Sequence, residues 1–213
     1  MACDYPLFLD LAGRCVVVVG GGAVAARKVD KLLAAGARVR VVAPQIGPGI
    51  ESRRNAKLEV VREEFAPSHV TGAALVFACT NDPVVNWAVA RAARAAGAWA
   101  NRADDPDDCD FTVPAVSEHG PIRLAVSTGG TSPALARTIR QWLDEHVPRE
   151  WAALAVELAR ARPIVQQRVG EEQARRAIWD TLCGADSLQR LSEQGPEAWR
   201  AWLEQLIAPP PAR

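Results

Sequence analysis

The sequence predicts an α/β fold that begins with a parallel sheet, and three observations lead to that prediction. The first is a run of apolar residues at 15–19 that ends in three glycines at 20–22. The second is the Ala-rich, helix-compatible segment directly after the glycines, which Gly36 closes. The third is a β-branched run at 38–43, which completes a βαβ unit of about 30 residues. The start of the chain therefore predicts a Rossmann-like parallel sheet domain.

The glycines match the G-x-G-x-x-G/A pattern of dinucleotide-binding loops, with Ala25 at the third position. Gly20 permits a sharp turn, Gly22 permits close approach of a pyrophosphate, and Ala25 lets the helix pack against the strand. The N–H groups and the positive dipole end of that helix would face the phosphates. A plain glycine turn is the alternative, and the position between strand and helix favours the dinucleotide site. The predicted cofactor-binding residues of this loop are Gly20, Gly21, Gly22, Ala23 and Val24.

The end of the second strand bears on the choice of dinucleotide. An NAD site usually has Asp or Glu there to bind the ribose hydroxyls. Here Pro44 and Gln45 stand in that place, and Gln45 can still hydrogen-bond a ribose. Since no Arg or Lys follows at once to favour a 2′-phosphate, NAD is the predicted cofactor, and both residues join its predicted site.

Further strands are predicted at 58–61, 74–79 and 98–101, with a helix at 84–96 before the last of them. Open α/β sheets bind ligands at the carboxyl ends of their strands, so polar residues there are candidate site residues. These candidates are Thr80, Asn81, Asn101 and Asp104. The alternative for 80–82 is that these residues only cap the helix.

An acid-rich loop follows the last strand, with five aspartates in the seven positions from Asp104 to Asp110. Asp104 and Asp105 lie nearest the strand end and are the better candidates for chemistry, whereas Asp107 and Asp108 fit a solvated loop. Clustered carboxylates tend to have raised pKa values, which suits general acid–base work near neutrality. Calcium binding is a rival reading, although the loop lacks the glycine and the terminal glutamate of an EF-hand loop.

The next segment predicts a β-hairpin, with strands at 111–117 and 122–127 and a turn at 118–121. A helix is predicted at 134–145. The hairpin and this helix are hard to bury against a small parallel-sheet core. We therefore expect a homodimer built on them.

A Gly/Ser/Thr loop at 128–132 connects the hairpin to that helix, with Ser132 as a suitable N-cap and Pro133 in the first turn. Such a loop at a helix N-terminus favours anions. It lacks the lysine of nucleoside triphosphate-hydrolysing loops.

From Pro148 onward the pattern is helical, with helices predicted at 151–162, 171–182 and 198–207 and a frayed tail at 208–213. The chain is thus expected to contain an NAD-binding domain, a hairpin and helix dimerisation segment, and a small helical domain. The predicted bounds of the three are 1–112, 113–147 and 148–213.

Composition narrows the possible classes of function. The 213 residues carry 25 Lys+Arg and 25 Asp+Glu, so net charge gives no argument for nucleic acid or a membrane surface as partner. No apolar run approaches the roughly 20 residues of a membrane helix, and the N-terminus lacks signal-peptide features, so a cytoplasmic protein is expected. The 5 cysteines are scattered, which disfavours structural zinc and a disulfide framework. Most of them are expected to be small buried residues, as Cys15 and Cys79 in their apolar runs suggest.

Taken together, these stretches resemble the precorrin-2 dehydrogenase/sirohydrochlorin ferrochelatase family, the N-terminal module of siroheme synthase. The resemblance is strong over residues 5 to about 145 and looser in the helical tail, where 175–179 is similar to a basic-aromatic patch of the family. The segments that carry it are 5–11, 18–28, 78–82 with 85–86, 104–106 with 109–111, and 127–137.

The resemblance implies NAD-dependent oxidation of precorrin-2 to sirohydrochlorin, and in bifunctional members insertion of Fe²⁺ to give siroheme. It implies that Asp104 is the catalytic residue for both steps, that Pro44 and Gln45 lie near the adenosine ribose, and that Thr80 lies near the dinucleotide. Thr128 stands where some relatives carry a serine and keeps the hydroxyl, whereas Asn81 stands where the family often has Asp. The predicted substrate-binding residues are Asn101, Asp105, Ser127, Thr128, Gly129 and Thr131.

The substrate that the resemblance implies is a polycarboxylate, so its pocket is expected to contain helix N-termini and basic side chains. Five arginines of the helical part are candidates: Arg160, Arg162, Arg168, Arg175 and Arg176. The alternative is a solvated helix face balanced by nearby glutamates. No metal ligand set is predicted, because the three histidines show no paired spacing.

A second hypothesis of another class is a non-catalytic NAD(H)-sensing module whose helical tail signals or dimerises. The acidic loop and the second glycine-rich loop favour the enzyme, because a sensor needs neither. No methyltransferase segment follows within these 213 residues. We therefore expect methylation of the tetrapyrrole to be carried out elsewhere.

Overall fold

The structure is a computed structural model that describes residues 5–53 and 55–208. The chain divides into two compact units, one extending to Val113 and the other beginning at Pro114. The first unit is a parallel sheet with helices, and the second is a hairpin followed by helices. The predicted fold class is therefore confirmed, while the division into three domains stays a prediction.

The first unit contains five parallel strands in the order β3-β2-β1-β4-β5. The strands are β1 Cys15–Val19, β2 Arg38–Val42, β3 Leu58–Val61, β4 Leu75–Ala78 and β5 Trp99–Arg102. The helices are α1 Ala23–Ala34, α2 Pro48–Glu51 and α3 Pro83–Ala95, with 3₁₀ turns at Pro67–Val70 and Pro106–Asp108. The strand order reverses between β1 and β4, so the carboxyl ends of these two strands border the ligand crevice of the sheet.

Strand β1 lies at the centre of this unit, and its residues Val16 to Val19 are all buried. Side chains of a strand alternate between the two faces of the sheet. Val16 and Val18 pack with the buried side of α1, and Val17 and Val19 pack with that of α3. Because helices cover both faces, the strand is apolar throughout rather than alternating.

The second unit begins with two antiparallel strands, β6 Ala115–His119 and β7 Ile122–Val126. Four helices follow, α4 Pro133–His146, α5 Arg149–Arg168, α6 Glu172–Leu182 and α7 Ala185–Ile207. Val165, Leu182 and the fully buried Trp199 belong to the core that joins α5, α6 and α7. No helix among the described residues is long and apolar enough to span a bilayer.

The first strand of the hairpin begins later than predicted, at Ala115 rather than at 111. The Phe111 ring packs edge-on against Phe77, with ring centroids 5.3 Å apart. The Phe111 carbonyl also accepts a hydrogen bond from Asn101 Nδ2 at 2.9 Å. Burial of this aromatic ring against the first unit therefore keeps the segment out of the hairpin.

Two helices are longer than predicted. Helix α5 continues past Pro163 to Arg168, because Ala161 and Val165 on either side of the proline are buried in the helical core. Helix α7 begins at Ala185 rather than at 198, with a break at Gly195, where φ is 82°. The predicted frayed tail lies, from residue 209 on, outside the described residues.

Candidate active site

A cavity of about 860 Å³ lies where the carboxyl ends of β1 and β4 border the crevice. Loops that follow four of the five strands supply its walls, and they include Gly20–Gly22, Val42–Gly47, Glu64 with Phe65, and Cys79–Asp82. The predicted cofactor residues that line it are Gly20, Gly21, Gly22, Pro44, Gln45 and Thr80. Ala23 and Val24 do not line it, because they form the first turn of α1.

The three glycines of the loop differ in what surrounds them. A Cβ at Gly20, where φ is 127°, would lie 2.5 Å from the carbonyl oxygen of Cys79. A Cβ at Gly21 would lie 1.9 Å from the carbonyl oxygen of Gln45. A Cβ at Gly22 would meet nothing within 4 Å. The first two glycines therefore let three loops touch, and the third leaves open space above the backbone.

Helix α1 begins at this open space and suits an anion. Its N-cap is Gly22, which gives no side-chain cap, and its first turn contains no acidic residue. The N–H groups at the start of a helix lack partners within the helix and bind phosphate groups well. The residues present therefore fit the pyrophosphate of a dinucleotide.

A carboxylate does line the cavity, although it does not follow β2. It belongs to Glu64, which lies beyond the end of β3. Since β2 and β3 pair in parallel, with Val42 opposite Val61, residues beyond both strands reach the same edge of the sheet. Glu64 is not among the predicted site residues, and this strand pairing is what brings it to the cavity.

Asn86 of α3 connects the cavity wall to the acidic loop and is also absent from the predicted site. The Asn86 residue is fully buried. Its Nδ2 donates to Asp104 Oδ1 at 2.9 Å and to the Thr80 carbonyl at 3.1 Å, and its Oδ1 accepts from the Thr80 hydroxyl at 2.8 Å. The sequence signal was a polar residue in helical register with the buried Val89 and Ala90.

Arg102 organises the acidic loop and is only 7 % exposed. Its guanidinium lies 2.8 Å from both Asp104 and Asp108, and Arg94 binds Asp108 and Asp110 in turn. The hydrogen bond from Arg102 lowers the pKa of Asp104, and that from Asn86 adds to the effect. The prediction of a raised pKa at Asp104 is therefore wrong, because hydrogen bonding to Arg102 outweighs the effect of burial, which raises the pKa.

Two other expectations about this loop and its cysteines also fail. Asp108 is not merely solvated, since arginine hydrogen bonds, first that of Arg102, lower its pKa. Of the described cysteines, Cys79 is buried, whereas Cys15 is half-buried and Cys183 is exposed, so the expectation that most are buried is wrong. Burial raises the pKa of the Cys79 thiol to about 11, which keeps it protonated beside the cavity.

The predicted site residues Asn101 and Asp105 lie at the end of β5 without lining the cavity. Asn101 Oδ1 accepts from the Lys28 ammonium at 3.5 Å, and that ammonium lies 4.4 Å from the centroid of the Phe77 ring. Burial lowers the pKa of Lys28. Asp105 lies 3.2 Å from Arg102.

The predicted loop at 127–131 belongs to the second unit, where its polar groups bond mainly to one another. Gly129 N donates to Ser127 Oγ at 3.2 Å, and the Thr131 hydroxyl donates to the Thr128 carbonyl. Ser132 caps α4, as predicted, by accepting from Leu135 N at 3.2 Å. The binding of an anion by the loop at 127–131 stays a prediction. Within 5–53 and 55–208 no group of three or more metal-ligating side chains is placed to hold a metal ion.

Comparison with known proteins adds to this geometry. Residues 7–115 match a family model described as "Putative NAD(P)-binding". The chain belongs to this family. Residues 119–146 match a second model, described as "Sirohaem biosynthesis protein central". The resemblance inferred from the sequence is thereby confirmed, as is the prediction of a nicotinamide dinucleotide cofactor.

Individual relatives agree with the family matches. The chain is 42 % identical over 182 residues to a siroheme synthase of Nitrosomonas europaea, which covers 84 % of this chain and 38 % of that protein. It is 39 % identical over 205 residues to a siroheme synthase of Methylobacillus flagellatus, covering 95 % and 44 %. The chain thus spans about two fifths of the length of these curated relatives. A solved structure named SirC, precorrin-2 dehydrogenase, is 26 % identical with a TM-score of 0.79, covering 95 % of this chain and 100 % of that one.

Alanine substitutions at Gly21 and Gly22 are expected to have different effects. Gly21→Ala drives a methyl group into the Gln45 carbonyl, so the free energy of unfolding falls by about 1–3 kcal/mol. Gly22→Ala leaves it within about 0.5 kcal/mol of wild type, because space is free and φ is −87°. Its methyl group fills the space over α1, so NAD binds about tenfold more weakly. Urea unfolding and calorimetric titration with NAD check both variants, and unchanged NAD affinity in Gly22→Ala contradicts this location of the cofactor.

Proposed function

We propose that the protein oxidises precorrin-2 to sirohydrochlorin with NAD. The observation that carries the proposal is an ionised carboxylate, Asp104, joined through Asn86 to Thr80 on the wall of the dinucleotide cavity. Asp104, which can accept a proton, is thus connected to the wall of the cavity that would hold NAD, the acceptor of the hydride. The relatives named siroheme synthase and precorrin-2 dehydrogenase support the choice of substrate.

The residues of the chain divide the work of the oxidation, which removes a hydride and a proton from the macrocycle. NAD, when bound, supplies the acceptor for the hydride. Asp104, whose carboxylate is ionised at neutral pH, accepts the proton. Arg102 holds that carboxylate in place by donating to both of its oxygens, with the shorter bond to Oδ2, and Asn86 donates to Oδ1. We propose further contacts to the substrate from Asn101, Asp105, Ser127, Thr128, Gly129 and Thr131.

The proposed preference for NAD over NADP rests on Glu64. A carboxylate in the cavity can accept hydrogen bonds from the ribose hydroxyls, and it repels a 2′-phosphate. Gln45 and Pro44 line the same cavity and are proposed to contact the adenosine end. Glu64 thereby supplies the acid that the end of β2 lacks.

We also propose insertion of Fe²⁺, as a substrate, into sirohydrochlorin at the same carboxylate. Metal entry displaces protons from pyrrole nitrogens, and the ionised Asp104 is a suitable acceptor for them. The proposal of a cytoplasmic location rests on the free thiols of the four described cysteines, which suit a reducing compartment.

A homodimer is proposed on the exposed face of α4. Leu135, Ile139 and Trp142 follow one another at helical spacing and are 51, 37 and 55 % exposed. A contiguous apolar face on a soluble protein marks an interaction surface. A second copy of the chain would cover this face with the same residues.

Asp104→Asn is expected to lower kcat for precorrin-2 oxidation about 100- to 10,000-fold, because the amide cannot accept the proton. The matched control is Asp107→Asn, an exposed residue of the same loop, which keeps wild-type turnover. Anaerobic incubation with precorrin-2 and NAD, followed by sirohydrochlorin absorbance, measures both; Fe²⁺ added to purified sirohydrochlorin tests insertion. Absence of product with the wild type would favour the NAD(H)-sensing alternative, and full activity of Asp104→Asn would remove its catalytic role.

The pH dependence of the same reaction tests the state of Asp104. Since its pKa lies below the ordinary 3.8, protonation of Asp104 costs activity only below about pH 4. Arg102→Gln removes the main cause of the lowered pKa, so the acidic limb of kcat/KM moves to higher pH. If the acidic limb of the kcat/KM profile lies near neutrality and Arg102→Gln does not move it, Asp104 is not the ionised base.

Glu64→Gln is expected to weaken NAD binding about tenfold while relieving the repulsion of a 2′-phosphate. The ratio of NAD to NADP affinity therefore falls. Titration of both dinucleotides measures it, with Glu63→Gln as the control, since Glu63 does not line the cavity. An unchanged ratio would mean that Glu64 does not contact the ribose.

The double variant Leu135→Glu with Ile139→Glu is expected to be monomeric at micromolar concentration, because charges replace the apolar face of α4. The control is Val156→Glu on α5, a similarly exposed valine at 40 %. Light scattering measures the mass of each. A monomeric wild type, or a dimer that survives the double substitution, would argue against this interface.

A further inference from the structure

A groove of about 760 Å³ lies between α5 and α6 in the second unit. One face of α5, with Leu158 and Arg162 at a spacing of four, forms one wall. One face of α6, with Arg175, Arg176 and Trp179, forms the other. Two helix faces therefore bring cationic and aromatic side chains to one concave surface of a size that suits a small molecule.

Two of the three arginines of the groove differ from several other arginines of the helices in that they bind no carboxylate or carbonyl group among the described residues. Arg162 and Arg176 form no ion pair or side-chain hydrogen bond within the described part of the chain. Elsewhere in this bundle, Arg160 and Arg200 bind Glu157, and Arg168 binds Glu204. The alternative of a balanced helix face thus accounts for Arg160 and Arg168 and leaves Arg162 and Arg176 unexplained.

Arg175 is held in place at the end of the groove. Its Nη1 donates to the carbonyls of Val169 and Gly170, at 2.9 and 2.8 Å, while its other nitrogens remain available for further hydrogen bonds. Glu172 is the one carboxylate among the lining residues. Three guanidiniums against one carboxylate make the groove a site for anions.

The apolar wall defines the rest of the ligand. Trp179 and Leu158 are half-buried and line the groove, so they offer a flat surface to a ring system. Arginine binds carboxylates in a planar, two-pronged geometry. The ligand that this combination fits is an aromatic or macrocyclic body that carries carboxylates on its edge.

We propose that this groove binds the carboxylate-bearing edge of the tetrapyrrole, with Arg162 and Arg176 as its anchors and Trp179 against the ring. The assignment rests on the proposed function, which supplies a polycarboxylate macrocycle as substrate. It names residues that bind substrate and take no part in the chemistry. The groove therefore sets affinity and selects for the number of carboxylates.

The first experiment uses the full chain and uroporphyrin, an air-stable octacarboxylic porphyrin, titrated by fluorescence. Arg162→Gln and Arg176→Gln each weaken binding about tenfold, the loss of one charge-assisted hydrogen-bonding partner. Arg149→Gln removes the same charge from an exposed position of α5 outside the groove and leaves binding unchanged. Coproporphyrin, with half as many carboxylates, binds the wild type more weakly than uroporphyrin does. Its affinity also falls by a smaller factor in the two variants. Circular dichroism confirms that each variant is folded.

The second experiment separates this proposal from the proposed function. In Arg162→Gln with Arg176→Gln, KM for precorrin-2 rises about tenfold or more, while kcat and NAD affinity stay at wild-type values. If the wild type oxidises precorrin-2 normally and the double variant has an unchanged KM, only the proposal about the groove is overturned. If uroporphyrin binding depends on both arginines but the wild type does not oxidise precorrin-2, only the proposed function is overturned. Three further results would overturn the proposed role of the groove. The double variant could bind uroporphyrin as well as Arg149→Gln does, a short single-stranded RNA could compete with uroporphyrin, or the wild type could fail to bind uroporphyrin.

Discussion

The close contact of three loops at the end of β1 is the constraint on which the candidate active site depends. Gly20 N donates to the Val42 carbonyl at 2.9 Å, Gly47 N to the Gly21 carbonyl at 2.9 Å, and Cys79 N to the Val19 carbonyl at 2.8 Å. These bonds join the loops after β1, β2 and β4. The backbone also approaches closely at two points, where Gly20 meets the Cys79 carbonyl and Gly21 meets the Gln45 carbonyl, and neither point has room for a side chain. The glycines therefore shape the crevice before any cofactor is bound.

The same contact helps to fix the position of the Asp104 carboxylate. Thr80 follows Cys79 directly, so its backbone and hydroxyl are placed against the glycine turn. Both groups bind Asn86, and Asn86 binds Asp104. Because Asn86 is fully buried, each of its polar atoms needs a partner, and the network has little freedom to rearrange. A turn at the end of β1 thus determines where a carboxylate at the end of β5 lies.

The sequence predicts well those features whose causes are local. The apolar run of β1, the cap Ser132 and the glycine fingerprint depend on neighbouring residues, and each is found in the structure. Features that depend on distant partners are not predictable in this way. The lowered pKa of Asp104 depends on the direction of Arg102, and the place of Glu64 depends on strand pairing. The late start of the hairpin likewise follows from the packing of Phe111 on a strand far away in the chain.

The arrangement of charge favours separate residues for the proposed substrate binding and the proposed proton transfer. Four aspartates of the acidic loop surround Arg94 and Arg102, so the loop keeps a net negative charge although every one of these four is paired. Arg102 keeps Asp104 ionised, but the positive charge of Arg102 is already paired with the aspartates of that loop. The proposed polycarboxylate substrate would be repelled by this loop, so the free energy of its binding would have to come from cations outside the loop. Guanidiniums with no internal partner among the described residues, such as those of Arg162 and Arg176, would supply such cations under the proposed function.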